Sequence, residues 1–130
     1  MARTLQISDA EWDVMEPIWA AGACTAAEVI RQLRATRDWN HSTIRTLLAR
    51  LVEKGVLDYE VDGSRYIYRA AVSRQQCVRH VARSFLEKAF GGDVAALVAH
   101  FVADASLESK EIDELRQLLA KKKQPREKRK

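Results

Sequence analysis

The chain has 130 residues, of which 47% are hydrophobic and 31% charged, and its net charge is +4. That length suits one ordinary domain or two very small ones and excludes a large multidomain enzyme. The composition is too apolar for disorder throughout, and no apolar run approaches the ~20 residues of a membrane span.

A capping box opens the first element: in Ser8-Asp9-Ala10-Glu11 the hydroxyl and the carboxylate each satisfy a free backbone N–H at a helix start. Trp12, Met15, Ile18 and Trp19 follow as an apolar stripe, and Gly22 ends the helix. Pro17 lacks a helical N–H and crowds the preceding turn, so it should kink this helix without breaking it. Thr25-Ala26-Ala27-Glu28 repeats the capping box, and Val29, Ile30 and Leu33 give the second helix its inner face. After a short connection, Asn40 or Ser42 can cap a third helix over roughly 41–54. Its apolar positions Ile44, Leu47, Leu48, Leu51 and Val52 have helical spacing, and Gly55 suits its end.

The period then changes to two. Residues 56–61 and 65–69 alternate around Asp62-Gly63-Ser64, and Asp-Gly between alternating segments predicts a hairpin because both residues tolerate positive φ. A long helix opens at the capping box Ser73-Arg74-Gln75-Gln76 and runs to Phe90, before Gly91-Gly92. Asp93 can cap a further helix carrying Val94, Leu97, Val98, Phe101 and Val102. The last helix, from about Ser109, carries Ile112, Leu115, Leu118 and Leu119.

The distribution of charge informs more than its total. Residues 121–130, KKKQPREKRK, hold seven basic groups and one acidic, while the other 120 residues net −2. The whole positive excess therefore sits in what reads as a disordered tail. Locally, residues 31–50 carry five arginines against Asp38 alone, whereas residues 1–30 carry Arg3 against five acids. The basic stretch contains the third helix.

Two helices joined by a short connection, the second one basic, with a hairpin after it, read as a winged helix-turn-helix. The second helix of such a pair presents its N-terminal residues to base edges in the major groove. Ile44 faces inward, which leaves His41, Ser42, Thr43, Arg45, Thr46 and, a turn later, Arg50 for DNA. Arg45 can bind guanine O6 and N7 bidentately, and Ser64 and Arg65 at the hairpin tip suit the phosphate backbone. The bland alternatives are a helical domain with a solvated basic face, or a winged helix that binds protein instead of DNA.

Nothing resembles a nucleophile with its base, a phosphate loop or a paired-carboxylate site, so no enzyme and no cofactor is expected. Cys24 and Cys77 form no disulfide framework and no C-x-x-C pair. Cys77 and His80 lie at i, i+3, but a small core residue and a partly exposed polar one explain them, and no metal site is assigned. MARTLQISDAEW lacks the apolar stretch of a secretory signal, so a cytoplasmic protein is expected. The C-terminal helices are too short to bury a core alone. Their apolar faces, with Phe85, Leu86 and Phe90 from the long helix, are most simply buried against a two-fold partner.

ISDAEWDVM, DWNHSTIRTLLARLVEKG and DGSRYIY resemble the winged-helix domain of the BlaI/MecI family of bacterial repressors. The likeness continues through SRQQCVRHVARSFLEKAFGG, ALVAHFV and EIDELRQLL, over about residues 7–120. The resemblance implies a mainly α chain: a winged-helix DNA-binding domain over 1–71, a three-helix dimerisation region over 72–120, and a basic tail over 121–130. It implies a homodimeric repressor of β-lactamase or methicillin-resistance genes on palindromic operator DNA, relieved when a membrane sensor metalloprotease cleaves the dimerisation region. The family's cleaved Asn-Phe bond aligns with His100-Phe101, where the Phe is kept and the Asn is not. The C-x-C motifs of copper-sensing members are missing from KKKQPREKRK.

Overall fold

The computed structural model describes residues 5–104 and 106–123. Its elements run α1 (Asp9–Ala21), β1 (Ala23–Thr25), α2 (Ala26–Arg34), α3 (His41–Glu53), β2 (Leu57–Asp62), β3 (Arg65–Ala70), α4 (Arg74–Phe90), α5 (Val94–Asp104) and α6 (Ser109–Lys123). The chain packs as two compact units, residues 1–85 and 86–130.

Local chemistry starts the helices. Ser8 and Glu11 exchange hydrogen bonds at the head of α1, and Thr25 and Glu28 do the same for α2. At α4 the Gln76 side chain accepts from the Ser73 N–H and the Ser73 hydroxyl from the Gln76 N–H. Asn40, one of two candidates, caps α3 by accepting from the Thr43 N–H. α1 continues through Pro17 and ends at Gly22, whose φ of 86° suits a residue without Cβ.

The first unit closes over one core. Val14, Met15 and Ile18 of α1 meet Val29, Ile30 and Leu33 of α2 and the inner face of α3, Ile44, Leu47, Leu48 and Leu51. Val72 and Cys77 also enter this core, and the Trp19 indole N–H donates to the Val72 carbonyl at 3.0 Å. The start of α4 therefore packs with the winged helix, and the first unit extends past Ala71 to Phe85.

Two features depart from the expectations. A third strand, β1, pairs antiparallel with β3 and gives the sheet order β1-β3-β2. In the hairpin, Asp62 pairs with Arg65, so the two-residue loop is Gly63-Ser64. Gly63 has a φ of 67°, and no described non-glycine residue has positive φ. The turn is thus of the kind that takes glycine first, and Asp62 ends the strand without adopting the left-handed conformation.

Glu11 is the buried charge of the core, 2% exposed. Lys54 at the end of α3 reaches it at 2.6 Å and also donates to the Gln6 carbonyl. Burial pushes the Glu11 carboxyl up, but the hydrogen bonds from Lys54 and Ser8 outweigh it and carry the group below its ordinary range. Glu11→Gln keeps the capping acceptor but removes the charge opposite the Lys54 ammonium, so we expect a loss of about 1–2 kcal/mol in urea unfolding. Because the carboxyl is depressed in the folded chain, its contribution is complete above the unfolded carboxylate value, about pH 4.3. It is lost as pH falls through the lower folded value. The difference between the native chain and Glu11→Gln should therefore shrink on acidification below pH ~4.

In the second unit, α4 ends where the Gly92 and Gly91 N–H groups donate to the Leu86 and Glu87 carbonyls, with both glycines at positive φ. Asp93 caps α5 through the Ala96 N–H. Lys121–Lys123 form the last turn of α6 and so are helical, not the start of a disordered tail. Lysine is a good helix former, and cations suit a helix C-terminus. The rest of the expected tail, 124–130, lies outside the described residues. Neither α5 nor α6 buries any residue.

Candidate nucleic-acid interface

The inner face of α3 is locked into the core, so its other side is presented outward: His41, Ser42, Thr43, Arg45, Thr46 and Arg50 are all exposed. Their hydroxyls are not equally available. Ser42 donates to the Asn40 side chain at 3.2 Å, and Thr46 donates to the Ser42 carbonyl at 2.9 Å. Both hydroxyl protons are committed, which leaves oxygen lone pairs and the Thr46 methyl for a ligand. The Arg45 guanidinium makes no hydrogen bond or ion pair among the described residues, so its donors are available. The Arg65 guanidinium reaches Asp62 across the turn at 3.2 Å, with both side chains largely exposed; such a pair is weak and exchangeable.

α2, α3 and the hairpin enclose a groove of about 600 Å³, lined among others by Arg31, Arg45, Ser64, Arg65, Tyr66 and Tyr68. Three of the residues expected from sequence, Arg45, Ser64 and Arg65, come together here. His41 lies with Arg45 in an adjoining hollow that also contains Arg31 and Arg34. Arg50 is exposed on α3 but lines neither space.

One carboxylate, Glu28, sits among these cations. Hydrogen bonds from Thr25 and the nearby Arg31 and Arg65 outweigh its partial desolvation and hold it below the ordinary carboxylate range. It is therefore ionised at neutral pH, and three arginines leave the groove positive. On the hairpin, Tyr59 and Tyr66 stack with centroids 4.8 Å apart and planes within 6°, which stiffens the strand pair. Burial pushes the Tyr68 phenol up, against the opposing influence of Arg45, so it remains an O–H donor facing the groove.

Arg31, Arg34, Tyr66 and Tyr68 were not among the candidate contacts. Arg31 and Arg34 are three apart on the side of α2 away from its core residues, and the arginine excess in 31–50 was the signal that could have found them. The tyrosines gave no such signal, because which hairpin face meets α3 depends on packing.

Cys77 and His80 have ordinary surroundings. Burial pushes the Cys77 thiol up in the core, and His80 lies 3.5 Å from the Ser84 hydroxyl. No described helix is long and apolar enough to cross a membrane.

A three-helix unit with a three-stranded sheet, an outward-facing third helix and a hairpin beside it is a winged helix. The family model described as penicillinase repressor matches residues 7–121. The methicillin resistance regulatory protein MecI of Mammaliicoccus sciuri is 37% identical over 92% of this chain and 98% of its own length. The penicillinase repressor of Bacillus licheniformis is 34% identical over 92% and 93%. The solution structure of monomeric Bacillus licheniformis BlaI in complex with the blaP half-operator matches with a TM-score of 0.50 at 37% identity, covering 58% of this chain and 92% of that one. The chain belongs to the penicillinase repressor family. Its named members are transcriptional repressors, not enzymes.

Proposed function

We propose that this chain is a dimeric, sequence-specific repressor that binds palindromic operator DNA through α3 and the hairpin. The observation that carries the reading is the positive groove, in which Arg31, Arg45 and Arg65 from three elements face one space. The BlaI structure with its half-operator supports DNA as the occupant. Thr43, Arg45 and Thr46 read bases, Ser42 and Arg50 flank them, and Ser64 and Arg65 hold phosphate. The names of the relatives point to a penicillinase or methicillin-resistance gene as the target.

Dimerisation through residues 72–120 is supported by the apolar surface of α5 and α6, where Val94, Phe101, Val102, Leu118 and Leu119 are each more than half exposed in the single chain. Val98, Ile112 and Leu115 are also exposed, as is Phe85 of α4, and Leu86, Phe90 and Leu97 complete the proposed dimerisation set. The family resemblance supports derepression by a membrane sensor metalloprotease at His100-Phe101, where the Phe of the family's bond is kept and the Asn is not, and that bond lies inside the apolar stretch of α5.

Selecting bound genomic fragments and reading their common palindrome tests the function. A DNA binder must also lose affinity for random duplex steeply as salt rises, through counterion release. Salt-independent binding would favour the protein-interaction alternative. Residues 124–130 hold four basic groups and one acidic, so deleting them should flatten the slope of log K against log salt by up to about 3. The thermal midpoint should stay unchanged, and a large drop would show that this segment docks on the fold.

A further inference from the structure

Residues 71–73 join β3 to α4, and each of them is held. The Ala71 N–H donates to the Val56 carbonyl at 2.8 Å, Val72 is buried in the core, and Ser73 caps α4. α1 grips the same stretch. The Trp19 indole N–H bonds the Val72 carbonyl, and Arg74 Nε and Nη2 reach the two Glu16 carboxylate oxygens at 3.1 and 3.2 Å. The Trp12 indole N–H donates to the same carboxylate at 2.9 Å, and the Arg74 guanidinium lies 6.0 Å from the centre of the Trp12 ring. Trp12 in turn meets Trp19 edge-on, with centroids 5.3 Å apart. A lone exposed ion pair holds little, but a bidentate pair inside a network keeps its geometry. The hydrogen bond from Arg74 holds the Glu16 carboxyl below its ordinary range, so the pair is charged at neutral pH. Arg74 is also the first residue of α4, where the helix dipole disfavours a cation. Its contacts with α1, and not the helix it opens, account for it.

We propose that Glu16 and Arg74 are positioning residues that restrict the operator to one spacing between its half-sites. The inference rests on the dimeric DNA-binding reading and adds a determinant of specificity outside the groove of α2, α3 and the hairpin. α4 leads from the winged helix into the proposed dimerisation region, so its attachment sets the direction in which each winged helix is carried. The core anchors α4 through Val72 and Cys77. The Glu16–Arg74 pair is a second anchor, and with both in place the first turn of α4 cannot swivel on α1. One base pair of spacer moves the second half-site by about 3.4 Å and turns it by about 35°. A stiff attachment cannot follow both changes. An attachment free to swivel follows them in part, with a lower effective concentration at the native spacing.

The palindrome recovered by genomic selection supplies the probes: the operator itself, operators with one base pair added to or removed from the spacer, and a duplex holding one half-site. Gel shifts with the full native chain should show a loss of about a hundredfold in affinity when the spacer changes, as the second half-site drops out. In Arg74→Gln and in Glu16→Gln that ratio should fall to about tenfold, mostly through weaker binding at the native spacing. Half-site affinity and the urea midpoint should not move, because both side chains are about half exposed and neither belongs to the core. Exchanging the pair, Glu16→Arg with Arg74→Glu, should restore most of the native ratio, which a role in helix stability alone would not predict. A native ratio in both single variants, or a native chain indifferent to spacing, would overturn this inference alone. Half-site affinity that fell as far as operator affinity would make the pair a support of the winged helix and overturn it as well. A native chain that bound neither half-site nor operator would overturn the proposed function with it.

Discussion

A chain ending at His100 should keep a folded winged helix, sediment as a monomer at micromolar concentration and lose operator binding. Among the described residues, the buried core of the winged helix ends in sequence at Cys77, so the truncation removes none of them. What is lost is Phe101, Val102 and all of α6. In the single chain Phe101 and Val102 are each 52% exposed, and Leu118 and Leu119 more than 60%. A partner subunit is the simplest burial for so much apolar surface. One winged helix covers one half-site, and two joined subunits gain by effective concentration, so loss of the dimer is loss of operator affinity with the DNA-reading surface unchanged. Phe101→Ala should act in the same direction more mildly, weakening the dimer by roughly 3 kcal/mol as the truncation of a buried Phe does. Sedimentation beside an operator gel shift decides the matter. A truncated chain that stayed dimeric and bound operator tightly would eliminate cleavage at this bond as the switch.

Arg45→Ala should cost about 1–3 kcal/mol of operator affinity and relax base preference at one position in each half-site. Arg45 projects from the exposed side of α3, makes no hydrogen bond or ion pair among the described residues, and lines the groove beside Tyr68. Its donors are thus available in the free protein, and binding need not break a native pair to use them. Arg45→Lys should rescue little of the base preference, because an ammonium cannot make the planar bidentate contact. Competition among operator variants with one base pair changed at a time measures this. Equal losses on operator and random DNA would make Arg45 a phosphate contact and remove its reading role.

Helix starts were legible in the sequence because their chemistry is local. Ser8 with Glu11, Thr25 with Glu28 and Ser73 with Gln76 each join residues three apart, and no distant part of the chain is needed to form them. The inner faces of α2 and α3 were legible for a similar reason, since a 3.6-residue period shows in the spacing of apolar residues. The exposed positions of α3 followed from that face by elimination.

The sequence by itself determined the helices, their caps, the hairpin and the outward residues of α3, because each depends on neighbours within a few positions. It also determined the family, through motifs spread along residues 7–121. Only the tertiary structure decided the rest. β1 is three residues long, too short for an alternating pattern, and exists through its pairing with β3 more than forty positions away. The hairpin loop moved to Gly63-Ser64 because strand register, not the Asp-Gly dipeptide, sets which residues turn. Glu11 is held by Lys54 across 43 positions, and Arg31 and Arg34 of α2 line the hollows beside α3 only because α2 packs there. These features depend on which surfaces meet when the core closes, and sequence spacing within an element carries no record of that.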